Sequence, residues 1–529
     1  MATLIGTDII GENINDRTGQ SVAISADGQV LIVGSTQTEA ASGYAAIYNL
    51  TNNQWVAETI ISGGHNGCNF GWATSMSDNG AIVAVSEPWE DDMGDYAGRV
   101  RVFWRNGAAW ERVGGSIYAD SGFEEFGYSV SLSADGLIVA IGAPMFDGNT
   151  GYVDVYQLDS DNLDTGNWAR RGSGWLVGES GYSRDNGRFG ESVSLSADGE
   201  LLAVGCPGGY NGTGGGASQT GFAQVFRWSG TDYVRNGDLI VGVDQTSFGN
   251  RVCFSRDGST LAIADYSQSA SIVRTFRWNS SDEYWQQLAA DVSTGEPERL
   301  LSSVSLAANG EVLAFGVPGL VGFVRVFDLV NGTQWRQRGT DFAGETPGDN
   351  FGQSVHLSAD GTVLAIGAPQ SNPGTGYARV FSVPATVPCF HGSVLLPTVV
   401  GVIPAARVRV GTILLAGDGT PRVVRHVTSA SNARCVHIAP GALGVHVPSA
   451  PVIVTPNHLL QLPSGRILRA DQAMSLFPKI SWVPQPLTVY HIGVDDWTFV
   501  RAHNLLLETL AWKPEHHEHR PNTTAASRK

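Results

Sequence analysis

The sequence is poor in charge and has no long hydrophobic run. Only 16% of its residues are charged, whereas 66 are glycine, a balance typical of many short strands and tight turns. No stretch approaches the roughly 18 apolar residues that a membrane helix needs, and residues 1–11 lack the cationic and apolar segments of a signal peptide. We therefore predict an all-β protein with no membrane span.

Cysteine is also scarce: the five cysteines form no Cys-x-x-Cys pair, so they indicate neither a disulfide framework nor a zinc site. We predict no cofactor and no metal. The formal net charge of −17 would repel phosphate backbones, which excludes nucleic acid as a partner. Glycosylation sequons would suit a secreted or cell-surface chain, but with no visible signal peptide the localisation stays open. The sequons are at Asn49, Asn211, Asn279, Asn331 and Asn522.

What the chain does have is a repeat. Residues 127–144 read GYSVSLSADGLIVAIGAP and residues 352–369 read GQSVHLSADGTVLAIGAP. Each copy is an alternating run, an Asp-Gly or Asn-Gly turn and a nearly continuous apolar run, the pattern of a β-hairpin with a buried second strand. The turn glycines of seven copies lie 51 to 63 residues apart, at Gly28, Gly80, Gly136, Gly199, Gly258, Gly310 and Gly361.

A third strand follows each hairpin, as in residues 98–104 (GRVRVFW), and a fourth centres on a tryptophan, as in residues 110–117. Four strands per repeat at this period predict the blades of a seven-bladed β-propeller, over residues 1–383. The last copy has no fourth strand, and residues 4–11 (LIGTDIIG) resemble it. We therefore predict that the N-terminus completes the seventh blade.

The repeats resemble the FG-GAP type of propeller repeat through FGYSV at Phe126 and IGAP at Ile141, and again at Phe351 and Ile366. Calcium-binding members of that family place several oxygen ligands in the hairpin loop. Here each loop offers one carboxylate that an Asp-Gly turn uses anyway, so no calcium site is predicted. The propeller is interpreted as a scaffold or binding module for a protein or glycan ligand.

Two other propeller features have simple structural interpretations. The acidic cluster Glu90, Asp91, Asp92 and Asp95 is interpreted as a solvated turn before cation binding is considered. Recurring tryptophans are interpreted as core or inter-blade packing rather than ligand stacking. They are Trp104, Trp110, Trp228, Trp278, Trp285 and Trp335.

After residue 383 the repeat stops. We predict a linker at 384–388, a second all-β domain at 389–513 and a disordered tail at 514–529, whose histidines are attributed to that tail. Three blocks stand in order in this region: CFHGS from Cys389, TPNH from Thr455 to His458, and residues 489–512 near the end. Together they resemble the Hint (Hedgehog/intein) domain, a compact all-β fold.

The resemblance implies an autoprocessing protein that cleaves itself in cis rather than turning over an external substrate. The thiol of Cys389 attacks the carbonyl of Pro388, converting the scissile amide into a thioester by an N–S acyl shift. His458 protonates the leaving nitrogen, and Thr455 orients the amide or its oxyanion. A small nucleophile then resolves the thioester. His491 stands where inteins often have aspartate and is an accessory candidate.

The chain also departs from the family. Glu508 and Thr509 fall where inteins close with His-Asn, so splicing and release of the tail are excluded. Pro388 crowds the acyl group to be attacked, and Trp497 stands near where a histidine is common. The alternative is therefore a non-catalytic propeller interaction protein that carries an inactive Hint fold.

Overall fold

The computed structural model describes residues 2–37, 41–160, 162–179, 186–209, 219–243, 246–266, 271–295, 300–330, 332–370 and 374–383, and from residue 390 onward the backbone of thirteen strands. The chain divides into two compact units, residues 1–385 and 386–529. In the described residues no helix is long and apolar enough to cross a membrane, and the single helical turn is Phe146–Asn149.

The first unit contains seven antiparallel sheets, which confirms the prediction of a seven-bladed all-β propeller. Blades 1 to 7 are numbered by their inner strands: Thr18–Ile24, Thr74–Met76, Ser129–Leu132, Ser192–Leu195, Arg251–Phe254, Ser303–Leu306 and Ser354–Leu357. The second strands are Val30–Ser35, Ile82–Glu87, Ile138–Ala143, Leu201–Cys206, Thr260–Asp265, Val312–Val317 and Val363–Ala368. The third strands are Tyr44–Thr51, Arg99–Asn106, Tyr152–Leu158, Phe222–Trp228, Ile272–Asn279, Phe323–Val330 and Tyr377–Ser382.

The outer strand is continuous in blade 1 and broken into two pieces in the other six blades. In five of these a glycine with positive φ stands at the break, a conformation that L residues rarely adopt. Blade 1 has no glycine in this strand, which runs over Gln54–Ser62. The broken strands of blades 2 to 7 are Ala109–Arg112 with Ile117–Tyr118, Trp168–Arg170 with Leu176–Val177, Tyr233–Arg235 with Ile240–Val241, Tyr284–Gln287 with Val292–Ser293, Gln334–Gln337 with Phe342–Ala343, and Thr3–Leu4 with Ile9–Ile10.

The N-terminus closes the ring, as the sequence predicts. Thr3 pairs with Ser382 and Ile9 pairs with Ala378, so both N-terminal strands lie beside the third strand of blade 7. Asp8 accepts two hydrogen bonds from Arg379, Nε to Oδ1 at 2.8 Å and Nη2 to Oδ2 at 2.6 Å. The first and last segments of the propeller are thereby joined in one sheet.

Neighbouring blades approach each other closely at the repeat's glycines. A Cβ on Gly142 would lie 2.0 Å from the carbonyl oxygen of Gly190 in the next blade, and four other blade junctions have the same contact. Trp168, Trp285 and Trp335 each donate an indole hydrogen bond to the preceding blade. The packing interpretation is therefore confirmed for Trp285 and Trp335. It is also confirmed for the other four tryptophans, which pack against blade cores: Trp104, Trp110, Trp228 and Trp278.

The Asp-Gly turns form a closed ring of hydrogen bonds. In five of the seven turns an aspartate caps its own hairpin; Asp135 Oδ1 accepts from Ser133 Oγ at 2.5 Å and from the Leu137 amide at 3.0 Å. Asn79 and Asn309 accept from the backbone in the turns of blades 2 and 6. Between turns, backbone amides donate to the carbonyl of the next blade at 2.8 to 3.2 Å. The ring runs Ala26 to Asp78, Asp78 to Ala134, Ala134 to Ala197, Ala197 to Arg256, Asp257 to Ala308, Ala308 to Ala359 and Ala359 to Ala26.

These turns define one end of the strands, which we call the turn face. The connections that enter each inner strand, and those between second and third strands, lie at the other end, which we call the loop face.

The second unit is one connected sheet of thirteen described strands. Its longest pairing joins Pro421–Ala433 to Leu487–Val494 in antiparallel register. The strands are Phe390–His391, Leu395–Thr398, Gly401–Pro404, Ile413–Leu415, Pro421–Ala433, Val436–Ile438, Val452–Val454, Leu459–Gln461, Ile467–Arg469, Ile480–Trp482, Leu487–Val494, Thr498–Ala502 and Leu505–Ala511.

Candidate functional site

The loop face of blade 2 carries a buried ion cluster built from one cross-strand pair. Glu87 ends the second strand and Arg99 begins the third, and the two residues are paired across the sheet. Arg99 donates Nε to Glu87 Oε1 at 2.8 Å and Nη2 to Oε2 at 2.9 Å, with side chains 8% and 0% exposed. A bidentate pair this deeply buried fixes the geometry of the loops around it.

A second guanidinium also contacts Glu87. Arg101 Nε lies 2.6 Å from Glu87 Oε1. Burial alone would raise the pKa of Glu87, but the hydrogen bonds and charges of Arg99 and Arg101 outweigh it and hold that pKa below its usual value. Glu87 is therefore a buried carboxylate that stays ionised.

Two further carboxylates and a histidine surround Arg99. Glu90 Oε2 lies 3.1 Å from Arg99 Nη2, and Asp92 Oδ2 lies 2.8 Å from Nη1. Glu90 Oε1 lies 2.8 Å from His65 Nδ1. Three carboxylates thus face two guanidiniums. Burial raises the pKa of Glu90 above its usual value.

The donor atoms fit an ion-pair network better than a metal site. Ligand atoms of His65, Glu90 and Asp92 lie within 4.8 Å of one another, and so do those of Cys68, Glu87 and Glu90. However, the carboxylates are already engaged by Arg99, and burial raises the pKa of Cys68 to about 11. Cys68 is thus a thiol that donates to the Ser42 carbonyl oxygen at 3.1 Å, not a thiolate ligand.

The sequence interpretation of this loop as a solvated turn is correct for part of it. Asp91, Asp92 and Asp95 are exposed, but Glu90 is 1% exposed and ion-paired, so for Glu90 the interpretation is wrong. The sequence reasoning also missed Arg99. The available signal was that Glu87 replaces the alanine of the repeat's IGAP segment, which places a carboxylate at a buried strand end.

An aromatic surface adjoins this cluster. The ring centroids of Trp72 and Trp89 are 6.0 Å apart, those of Trp89 and Tyr96 are 6.2 Å apart, and those of Tyr96 and Phe123 are 6.2 Å apart. Tyr96 and Phe123 have φ of 53° and 63°, a strained conformation for bulky residues, and are 49% and 63% exposed. Exposed aromatic rings held in this way are typical of interaction surfaces.

The residues assigned to self-cleavage lie in the second unit. Cys389, Thr455, His458 and Pro388 fall outside the described residues. His491 lies in the strand Leu487–Val494, with its Cα paired to Thr428.

The described strands next to these positions meet in one place. Phe390, which follows Cys389 in sequence, pairs with Val454, which precedes Thr455. Phe390 also pairs with Tyr490, which precedes His491.

Comparisons with known proteins add little to this description. No family model matches the chain, and no curated protein matches it. Among solved structures, the chain is similar to the β-propeller domain of Cps50 (Swd1) from Myceliophteria thermophila, at 12% identity and a TM-score of 0.46, over 73% of this chain and 100% of that one. The chain's own sheets define its class: it carries a seven-bladed β-propeller, a binding-type module.

Proposed function

We propose that this chain is an autoprocessing protein whose C-terminal unit cleaves the Pro388–Cys389 bond and releases the propeller as a binding module. The observation that carries the proposal is the order of the Hint-like blocks at Cys389, at Thr455 and His458, and at residues 489–512. In this proposal the C-terminal unit performs the cleavage. The released propeller then binds a protein or glycan through its exposed aromatic surface.

The strand register of the C-terminal unit supports the proposal. Phe390 is paired with Val454 on one side and Tyr490 on the other. Cys389 immediately precedes Phe390 in the sequence. Thr455 immediately follows Val454, and His491 immediately follows Tyr490. The proposed chemistry needs these residues to come together, although Cys389 and Thr455 are far apart in sequence.

The proposed reaction balances without any cofactor. The Sγ of Cys389 loses its proton to solvent and bonds to the carbonyl carbon of Pro388, and the bond from that carbon to the Cys389 nitrogen breaks. His458 supplies the proton that the departing nitrogen needs, which leaves a free α-amino group. Water or a small external nucleophile then attacks the thioester carbonyl, and the Cys389 thiol is released.

The test is the mass of the purified full chain, incubated with and without an added thiol. Cleavage gives fragments of 388 and 141 residues, the smaller beginning at Cys389, and the thiol speeds their appearance. Cys389→Ala abolishes cleavage, and His458→Ala slows it by roughly 10² to 10⁴. Cys435→Ala is the matched control within the same unit and cleaves like wild type.

An intact wild-type chain under these conditions would overturn the proposal. The chain would then be a propeller interaction protein with an inactive C-terminal unit, and Pro388→Gly would be the first variant to examine, since it removes the ring that crowds the acyl group.

A further inference from the structure

The turn face has a cavity of about 630 Å³ between blades 4 and 5. It lies far along the chain from the cleavage site and belongs entirely to the propeller unit. Its volume is within the range of roughly 300 to 1,000 Å³ in which proteins bind small molecules. Its walls include Arg227, Trp228, Arg277 and Trp278.

These four residues are a departure from the repeat. Arg227 pairs with the first residue of its blade's second strand, Leu201, and Arg277 pairs with the equivalent Thr260. The other five blades have different residues at this register position and none has arginine there: Asn49, Trp104, Gln157, Asp328 and Ser382. At the next position, where blades 4 and 5 have tryptophan, the other blades have Leu50, Arg105, Leu158, Leu329 and Val383.

The Arg-Trp pair thus occurs only in the two adjacent blades that form the cavity. Blades 1, 3 and 6 have leucine at the tryptophan position, which shows that a blade can pack without an indole there. Packing accounts for part of each indole, since Trp228 lies beside Gly172 of blade 3 and Trp278 lies beside Gly237 of blade 4. The rest of each side chain lines the cavity.

Neither cavity indole donates a hydrogen bond to another described residue. Within the described residues, Trp168 and Trp285 donate their Nε1 hydrogens to backbone carbonyls, whereas Trp228 and Trp278 have no such partner there. Both side chains are half-buried, packing with one part on the blade core while another part lines the cavity. The buried Arg171 lies 4.3 Å from the ring centroid of Trp228 and holds that indole in place.

Among the described residues, neither guanidinium of the cavity has an ion-pair partner. Arg227 has no ion-pair partner in the described part of the chain, and Arg277 makes only a 3.5 Å contact with Thr260 Oγ1. Asp257 is engaged by its own turn through Ser255 Oγ at 2.6 Å, and Glu200 pairs with Arg171 at 2.8 Å. The cavity wall therefore carries two guanidiniums beside the carboxylates of Asp257 and Glu200, together with flat apolar rings.

We propose that this cavity binds a small organic anion that carries a ring. The ring stacks against the indoles of Trp228 and Trp278, and a carboxylate, sulfate or phosphate group is held by Arg227 and Arg277. A ring bearing an anionic group could be an aryl compound or an acidic sugar. An aryl compound and an acidic sugar share the ring and the anionic group. The experiment therefore includes one ligand of each kind.

The test is calorimetric titration of the full chain with phenyl phosphate, with glucuronic acid, and with their neutral counterparts phenol and glucose. We expect one anion to bind at least about tenfold more tightly than its neutral counterpart, the size expected for charged hydrogen bonds. The preferred anion identifies the source as aryl or sugar. Because Cys389→Ala is in another unit, that variant should bind as wild type does.

Two sets of variants assign the binding to the cavity. Arg227→Gln with Arg277→Gln should weaken the anion by at least about tenfold while leaving the neutral ring unchanged. The double variant Trp228→Leu with Trp278→Leu introduces the leucine that blades 1, 3 and 6 have at this position. It should lower the affinity for the anionic ligand and for its neutral counterpart alike. The controls are Arg112→Gln and Trp175→Leu, exposed residues elsewhere on the propeller, which should bind as wild type does.

The proposal is overturned if neither anion binds better than its neutral counterpart, or if the control variants lose as much affinity as the cavity variants. A melting temperature within a few degrees of wild type shows that the leucine variants are folded. Should they unfold, the arginine variants alone decide the outcome, since Arg227 and Arg277 are exposed.

Discussion

Asp78 and Arg256 form an ion pair across the centre of the propeller's turn face. Both occupy the ring position that is alanine in the other five blades, in the turns of blades 2 and 5. Residues three steps apart on a seven-membered ring lie on opposite sides of it. The pair therefore braces two distant blades that share no sheet, in addition to the hydrogen bonds between neighbouring turns.

The brace should be measurable as a coupling between the two blades. In a double-mutant cycle with Asp78→Ala and Arg256→Ala, we expect a coupling of about 1 kcal/mol in the free energy of unfolding, since both side chains are partly exposed. Alanine is the residue of the other turns, so neither change should disturb the backbone ring. Additive effects of the two substitutions would mean that the brace contributes nothing to stability.

Stability should also depend on pH through His356, which replaces the serine of the inner strand in blade 7. Burial, with the charge of Arg256 as a smaller cause, lowers the pKa of His356 to about 4. In the unfolded chain His356 takes up a proton near pH 6.5, whereas in the folded chain it does so only near pH 4. The contribution of neutral His356 to the free energy of unfolding is therefore complete above about pH 6.5. That contribution falls by about 3 kcal/mol as the pH drops to 4.

His356→Ser should remove that part of the acid sensitivity. Denaturant unfolding at pH 7 and pH 4 measures it, with the variant losing about 3 kcal/mol less than wild type between the two values. If wild type and variant lose equal free energy of unfolding between pH 7 and pH 4, the pKa of His356 is not lowered in the folded state.

Closure of the ring by the N-terminus can be tested with two adjacent isoleucines. Ile9 is 7% exposed and packs in the core between blades 7 and 1, whereas Ile10 is 61% exposed. Ile9→Ala should cost about 2 to 5 kcal/mol of unfolding free energy because it leaves a cavity. Ile10→Ala, the matched control on the same strand, should cost less than about 0.5 kcal/mol. A loss of similar size in both would contradict the described register.

The buried pair of blade 2 gives a second contrast. Arg99→Ala leaves Glu87 with Arg101 but removes the guanidinium that the buried Glu90 contacts, so we expect a loss of about 3 to 5 kcal/mol. Arg105→Ala breaks a pair on the same strand, Arg105 Nη2 to Glu58 Oε1 at 2.6 Å, but that guanidinium is 39% exposed. Its removal should cost no more than about 1 kcal/mol. Chemical denaturation of both variants makes the comparison, and a small effect at Arg99 would mean that Arg101 alone compensates the charge of Glu87.

Much of the propeller's structure could be predicted from local sequence patterns. The Asp-Gly turns, the alternating and continuous apolar runs and the period of the repeat predict each blade's hairpins, because turn type and strand burial depend on neighbouring residues. The missing last strand and its N-terminal counterpart likewise predict how the ring closes. The broken outer strands could have been foreseen from their glycines but were not.

The candidate sites depended on the tertiary structure. Glu87 and Arg99 are ordinary charged residues until the register of two strands pairs them under the loops of blade 2. Asp78 meets Arg256, and two Arg-Trp segments come to line one cavity, because ring order sets which blades are neighbours and which are opposite. By itself, the sequence determined the all-β class, the seven repeats and the closing strand, since these follow from local pattern. Contacts between blades follow from register and closure, which only the assembled fold decides.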